Sequence, residues 1–194
     1  DTYELDVQYR VEHHGRDLLD PKLANLKAET VRAGVVLEDG ELTVTAYTAG
    51  HAPIEPAVGY RIDYRERSVV ISGDSVVTSE TRRIANKVDL LMHDALSVPL
   101  TETAAKAAAK AGLTRAAKII SDVTDYHAST ESLIELGADT EPGMVALYHL
   151  VPAPENLIMS KIFERNLPEN FVLANDGDWF ELPSNSAEII YTGN

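Results

Sequence analysis

The sequence predicts an α/β layered domain built on a mixed sheet. Three observations carry that reading: β-rich hairpins come first, strands and helices then alternate, and the later strands are continuous apolar runs of the buried kind. The chain has 194 residues, 44% of them hydrophobic, which suffices for one domain over 1–194 with a sizeable core.

The elements follow in order. AGVVLEDGELTVTAYTAG (33–50) reads as a hairpin turning at Asp39-Gly40, a strong turn signal. VGYRIDYRERSVVISGD (58–74) reads as a second hairpin, turning near Arg65-Glu66-Arg67. TSETRRIANK (78–87) is a short helix capped by Thr78 or Ser79, and VDLLMHDA (88–95) a short apolar strand. PLTETAAKAAAKAGL (99–113) is an alanine-rich helix with Thr101 as cap and Gly112 as stop, and TRAAKIISDV (114–123) continues as another. STESLIELGA (129–138) is a third, ending at Gly137. GMVALYHLVP (143–152) is a buried strand and PENLIMSKIFERN (154–166) an amphipathic helix opened by proline. FVLANDGDWFELP (171–183) reads as a final hairpin around Asn175-Asp176-Gly177, with Trp179 as packing. Residues 1–32 are polar and carry little pattern.

The totals narrow the function. There is no cysteine, so disulfides and thiolate metal sites are excluded, and any metal uses histidine and carboxylate. No run of 18 apolar residues and no apolar leader is present, which argues against a membrane partner and leaves the compartment open. Net charge is −14 with a pI near 4.7, and lysines and arginines look scattered, so no nucleic-acid partner is expected.

Six histidines stand out by position. His51 opens GHAPIEP, His93 ends VDLLMHDA, His127 lies in DYHASTES before a serine-capped helix, and His149 ends GMVALYHLVP. Asp74 follows Gly73 at the tip of SVVISGD. In α/β layers, ligands gather beyond one edge of the sheet, so these five side chains can converge. Neutral imidazole and carboxylate suit Zn, Mn or Fe. Each has an ordinary reading beside this one. Asp74 is a turn or helix cap, His93 a buried histidine held by the neighbouring Asp94, and His13 and His14 surface residues in a polar stretch. The intervals, 23 residues from His51 to Asp74 and 75 from Asp74 to His149, form no local metal motif.

In order, TAGHAPIEPAVGYRIDYRERSVVISGDS, VDLLMHDA, DYHASTESLIE and MVALYHLVPAP resemble the second half of a metallo-β-lactamase-fold hydrolase, in the branch related to RNase Z and the arylsulfatase-like enzymes. NDGDWFELPSNS is similar to that family's C-terminal segment, and the likeness runs from about Ala33 to the end of the chain. It implies a layered αββα fold of which this chain supplies mainly the C-terminal β-sheet and helices. It implies two divalent metal ions, Zn first and Mn or Fe next, with His51 and His149 as terminal ligands and Asp74 as the bridging ligand. His127 becomes the catalytic proton donor, and His93 and Asp94 orient the ligands. Gly73 lets backbone approach the site closely.

The sequence departs from that pattern at one strong point. The family's His-x-His-x-Asp-His signature is absent, and EHHGRD (12–17) lacks its spacing. The chain, which begins with Asp, is therefore expected to be the C-terminal part of a longer protein, completed by an N-terminal segment or a second chain, with a homo-oligomer open. The implied reaction is attack of a metal-activated hydroxide on an ester, lactone, sulfate or phosphate ester. The acidity and the lack of a basic arm favour a small-molecule substrate over tRNA. Two other readings stand: a non-catalytic half-fold module that needs a partner, and an acidic α/β protein with structural histidines.

Overall fold

The computed structural model describes residues 2–17 and 29–194. Its contacts divide the chain into two units, residues 1–31 and 32–194. The first holds helix α1 (Thr2–His14), which the sequence reading left without structure. Its local signals are end charges: Glu4 stands in the first turn, and His13 and His14 in the last.

The second unit is built on a seven-stranded sheet whose strands lie in chain order: β1 (Gly34–Asp39), β2 (Leu42–Thr48), β3 (Val58–Tyr64), β4 (Arg67–Ile71), β5 (Leu90–Leu96), β6 (Met144–Val151) and β7 (Phe171–Leu173). The first four form an antiparallel meander, because each connection is a short turn or loop. From β4 onward every pairing is parallel, because helices carry the chain back between strands. The first two hairpins expected from the sequence are present. Gly40 (φ +59°) and Arg65 (φ +53°) supply the left-handed turn positions.

On one face of this sheet Tyr47, Val70, Leu91, Val145 and Leu147 form a core with Ile84, Leu133 and Leu136 from the helices α2 (Ser79–Ile84) and α5 (Thr130–Thr140). The opposite face carries a continuous apolar row in register across six strands: Leu37, Val44, Ile62, Val69, Leu90 and Met144. Most of that row is only half-buried and Leu37 is exposed.

The helices begin where capping chemistry places them. Thr78 and Thr81 close a capping box at α2, and Ser129 Oγ accepts from the Ser132 amide at α5. Helix α6 (Leu157–Phe163) is capped by Asn156, whose side chain accepts from the Ile158 and Met159 amides, so Pro154 lies ahead of the helix rather than at its start.

Four other expectations change. Helix α3 (Val98–Lys110) starts ahead of Thr101, which sits in the first turn with its hydroxyl buried and without a partner among the described residues. Helix α5 runs through Gly137 to Thr140, with Glu141 taking the left-handed cap. Gly137 is a packing position: a Cβ there would meet the Phe171 ring at 2.8 Å. The final hairpin does not form. Phe171–Leu173 joins the large sheet beside β6, while β8 (Trp179–Glu181) pairs with β9 (Ile190–Thr192) in a small sheet. The Asn-Asp-Gly turn closes instead on Asp178, whose carboxylate accepts from the Asn175 and Asn194 amides and the Tyr191 hydroxyl. Those bonds, the backbone donors foremost, hold its pKa below the ordinary carboxylate value. Trp179 is exposed rather than packed. No helix among the described residues is long and apolar enough to cross a membrane.

Tyr47 is 1% exposed, and its ring lies where a Cβ on Gly59, its cross-strand partner, would stand, at 2.5 Å. Gly59→Ala is expected to destabilise the unit by about 1–3 kcal/mol through overpacking. Thermal and urea denaturation check this, and an unchanged midpoint would contradict the packing described.

Candidate metal centre

The site lies where the loops after β2 and β4 meet the end of β6. Gly73 adopts φ +64°, and a Cβ there would stand 2.8 Å from the Val58 carbonyl oxygen, so only glycine lets β4 turn this closely against β3. The turn presents Asp74. Its Oδ2 lies 3.9 Å from His51 Nε2 and 3.6 Å from His149 Nε2. Both separations are too long for hydrogen bonds. They approach the edge, about 3.4 Å, of a tetrahedron of N and O ligands around a metal bonded at about 2.0–2.1 Å. Imidazole and carboxylate at these separations make a candidate cation site. His127 joins the cluster: one ligand atom from each of His51, Asp74 and His127 falls within 4.8 Å of the others.

His149 reaches this place through a β-bulge. Along β6 the register steps from Asp94↔Tyr148 to Ala95↔Leu150, leaving His149 unpaired at φ +43°. A non-glycine residue in this region is strained, and a bulge re-aims its side chain. The imidazole is half-exposed.

His127 is held from behind. Its Nδ1 lies 2.8 Å from Asp94 Oδ2, which leaves Nε2 for the cluster. Asp94 has no exposed surface. Its other oxygen accepts from the Ser75 amide at 3.1 Å, and His93 Nδ1 lies 2.9 Å from both that oxygen and the Asp94 backbone carbonyl. His93 Nε2 is buried without a partner among the described residues. Asp94 thus pairs with His127, and His93 pairs with Asp94. Ser75 Oγ accepts from the Gly50 amide next to His51, which ties the loops after β2 and β4 together.

Two site residues escaped the sequence reading. Tyr126 packs its ring against His51 at 4.9 Å and His127 at 5.1 Å. Tyr148 lies beside Ser72, Gly73 and both aspartates. Burial pushes its phenol above the ordinary tyrosine range, with hydrogen bonds to Ser72 and the Gly73 backbone opposing and the charges of Asp94 and Asp74 reinforcing the shift. A signal existed: each immediately precedes a site histidine, in DYH and LYH.

No protein-family model matches the chain. Its backbone superposes on a metallo hydrolase from the archaeon Ignicoccus hospitalis with a TM-score of 0.51 at 12% identity, covering 97% of this chain and 74% of that one. The chain has the metallo-β-lactamase fold, supplying part of it as one large mixed sheet with helices. Its sequence likeness is to the RNase Z branch of that fold: it is 29% identical over 151 residues to a ribonuclease Z of Mycolicibacterium gilvum, covering 78% of this chain and 48% of that protein. A putative ribonuclease Z of Mycobacterium tuberculosis is 26% identical over 148 residues, covering 76% and 60%. The chain spans about half the length of the curated relatives it matches. One expectation is overturned. A small-molecule substrate with no nucleic acid does not fit a chain whose relatives are ribonucleases. The −14 total is a sum over the whole surface and says nothing of the one face that meets a substrate.

Asp94→Ala leaves His127 Nδ1 and the Ser75 amide without their acceptor, and a loss of about 3–5 kcal/mol is expected in denaturant melts. For Tyr148 the sign is set by its raised pKa: folding favours the neutral phenol, so that contribution is intact below pH 10.0 and fades as pH rises above it. Alkaline absorbance titration is expected to show Tyr148 ionising late, and Tyr148→Phe should remove one late-titrating phenol from the curve.

Proposed function

We propose that this chain carries the metal-binding and proton-donating part of a metal-dependent phosphodiesterase that acts on RNA. The supporting observation is the position of Asp74 Oδ2 between His51 Nε2 and His149 Nε2, with His127 alongside and backed by Asp94. His51 and His149 would each hold one of two divalent ions, Zn before Mn or Fe, and Asp74 would be shared between them. Ions bound there lower the pKa of water toward neutrality and offset phosphate charge.

The chain's own residues do the rest. A water oxygen bonds to phosphorus as the bond from phosphorus to the departing ribose oxygen breaks, and the water's proton passes to solvent. His127, its Nδ1 fixed on Asp94, gives the proton on Nε2 to the departing oxygen. The buried Asp94 carboxylate fixes the tautomer and stabilises the imidazolium before the proton leaves. The half-exposed Asp74 and His149 leave the cluster open on the side from which a polymer enters.

Calorimetric titration with Zn tests the ligands. His51→Ala and Asp74→Ala are each expected to weaken binding by more than the about 10–100-fold that outer partners are worth. A full-length gene product that takes up no divalent ion would end this reading. Cleavage is measured on the full-length gene product. There His127→Ala should lower kcat on a short RNA by about 10²–10⁴-fold while Zn affinity changes far less. Unchanged cleavage would remove His127 from the reaction.

A further inference from the structure

We propose that the helical hairpin formed by α3 (Val98–Lys110) and α4 (Thr114–Asp122) is an RNA-gripping arm that binds the phosphate backbone away from the cluster. This rests on the RNA reading above. Residues 103–121 are the longest stretch of the chain without an acidic residue, and they carry Lys106, Lys110, Arg115 and Lys118. In a chain with 31 acidic and 17 basic residues, that separation of charge is local and strong. These four of the chain's 17 basic residues are neighbours in sequence, and the two helices hold them on one exposed hairpin.

The hairpin stands apart from the core. Its helices pack mainly on each other; α3 buries Thr101 alone, and α4 buries no residue. All four cations are exposed. Lys106 pairs with Glu102 at 2.8 Å and Lys118 pairs with Asp122, both within one turn and on the surface, where such pairs are weak and yield to a stronger anion. Lys110 and Arg115 have no acidic partner among the described residues, and they flank the turn at the tip. Charge therefore runs from Glu102, Asp122 and Asp125 at the base to cations further out.

The hairpin is also rooted in the site. It leaves the body directly after β5, which carries Asp94, and a single helical turn at Val123–Asp125 returns the chain to Tyr126 and His127. A helix of 13 residues spans about 20 Å, so cations near the tip lie that far from the root. A small substrate in the cluster would not reach them. A polynucleotide would, because its phosphates repeat along the strand.

The test is fluorescence anisotropy with a fluorescein-labelled RNA stem-loop, on the full-length gene product, across a salt series. Lys110→Glu with Arg115→Glu is expected to weaken binding at least tenfold at low salt. It should also reduce the slope of log K against log salt by about 1.4–1.8, two phosphate contacts at about 0.7–0.9 each. Glu102→Gln with Asp122→Asn frees Lys106 and Lys118 and is expected to tighten binding. Zn titration of the same variants should match the unsubstituted protein, since none of these residues belongs to the cluster. RNA binding that ignores both pairs of changes would overturn the arm while leaving the RNA reading intact. A protein that binds Zn but no RNA at any salt would overturn both. Leu113→Ser with Ile119→Ser, at exposed apolar positions, should leave RNA affinity unchanged. If those changes govern it instead, the hairpin docks a protein and the proposal fails.

Discussion

A carboxylate with no exposed surface, Asp94, is the constraint on which the site depends. A buried charge persists only where hydrogen bonds and positive partners replace the water it gave up. Asp94 draws those bonds from three parts of the fold: the Ser75 amide after β4, His127 ahead of α5, and its neighbour His93 on β5. Satisfying it fixes where each segment runs. Ser75 passes the constraint on by accepting from Gly50, which sets the loop that carries His51. Parts of the chain distant in sequence are thus positioned by one buried group.

The sheet supplies the rigid reference for this network. Its meander changes to parallel pairing between β3 and β5, and β4 is the strand that belongs to both kinds. The turn beyond β4 therefore faces the ends of β5 and β6, and Gly73 makes that turn tight enough to aim Asp74 at His149. The bulge on β6 completes the aim at the cost of a strained backbone. The apolar row on the far face, by contrast, is only half-covered within this chain.

Much of this was legible in the sequence, and the limits have physical causes. Asp39-Gly40 marked its hairpin because the left-handed turn conformation selects glycine there. Histidines and Asp74 at strand ends suggested convergence because strand ends of a layered α/β fold share one edge. The role of Asp94 was assigned to the ligands in general; only coordinates show that it serves His127. Gly137 read as a helix stop because glycine ends helices, yet here its missing Cβ makes room for Phe171. Phe171–Leu173 read as half of a hairpin because the Asn-Asp-Gly turn is a local signal, whereas its pairing with β6 is a long-range one. Net charge misled for a related reason: a total carries no positions.

The connection between β5 and α5 is closed at its base. The Leu96 amide donates to the Ala128 carbonyl at 2.7 Å, and Leu96 bridges Ser129 in parallel. Whatever lies between those points loops outward from a fastened neck. Asp94 and His127 sit at the neck, so their distance is indifferent to how long the loop becomes or what it is made of. The segment there can be lengthened, shortened or recharged while the Asp94–His127 pair keeps its geometry. The fold thus lets the outer segment vary while the pair at its base stands still.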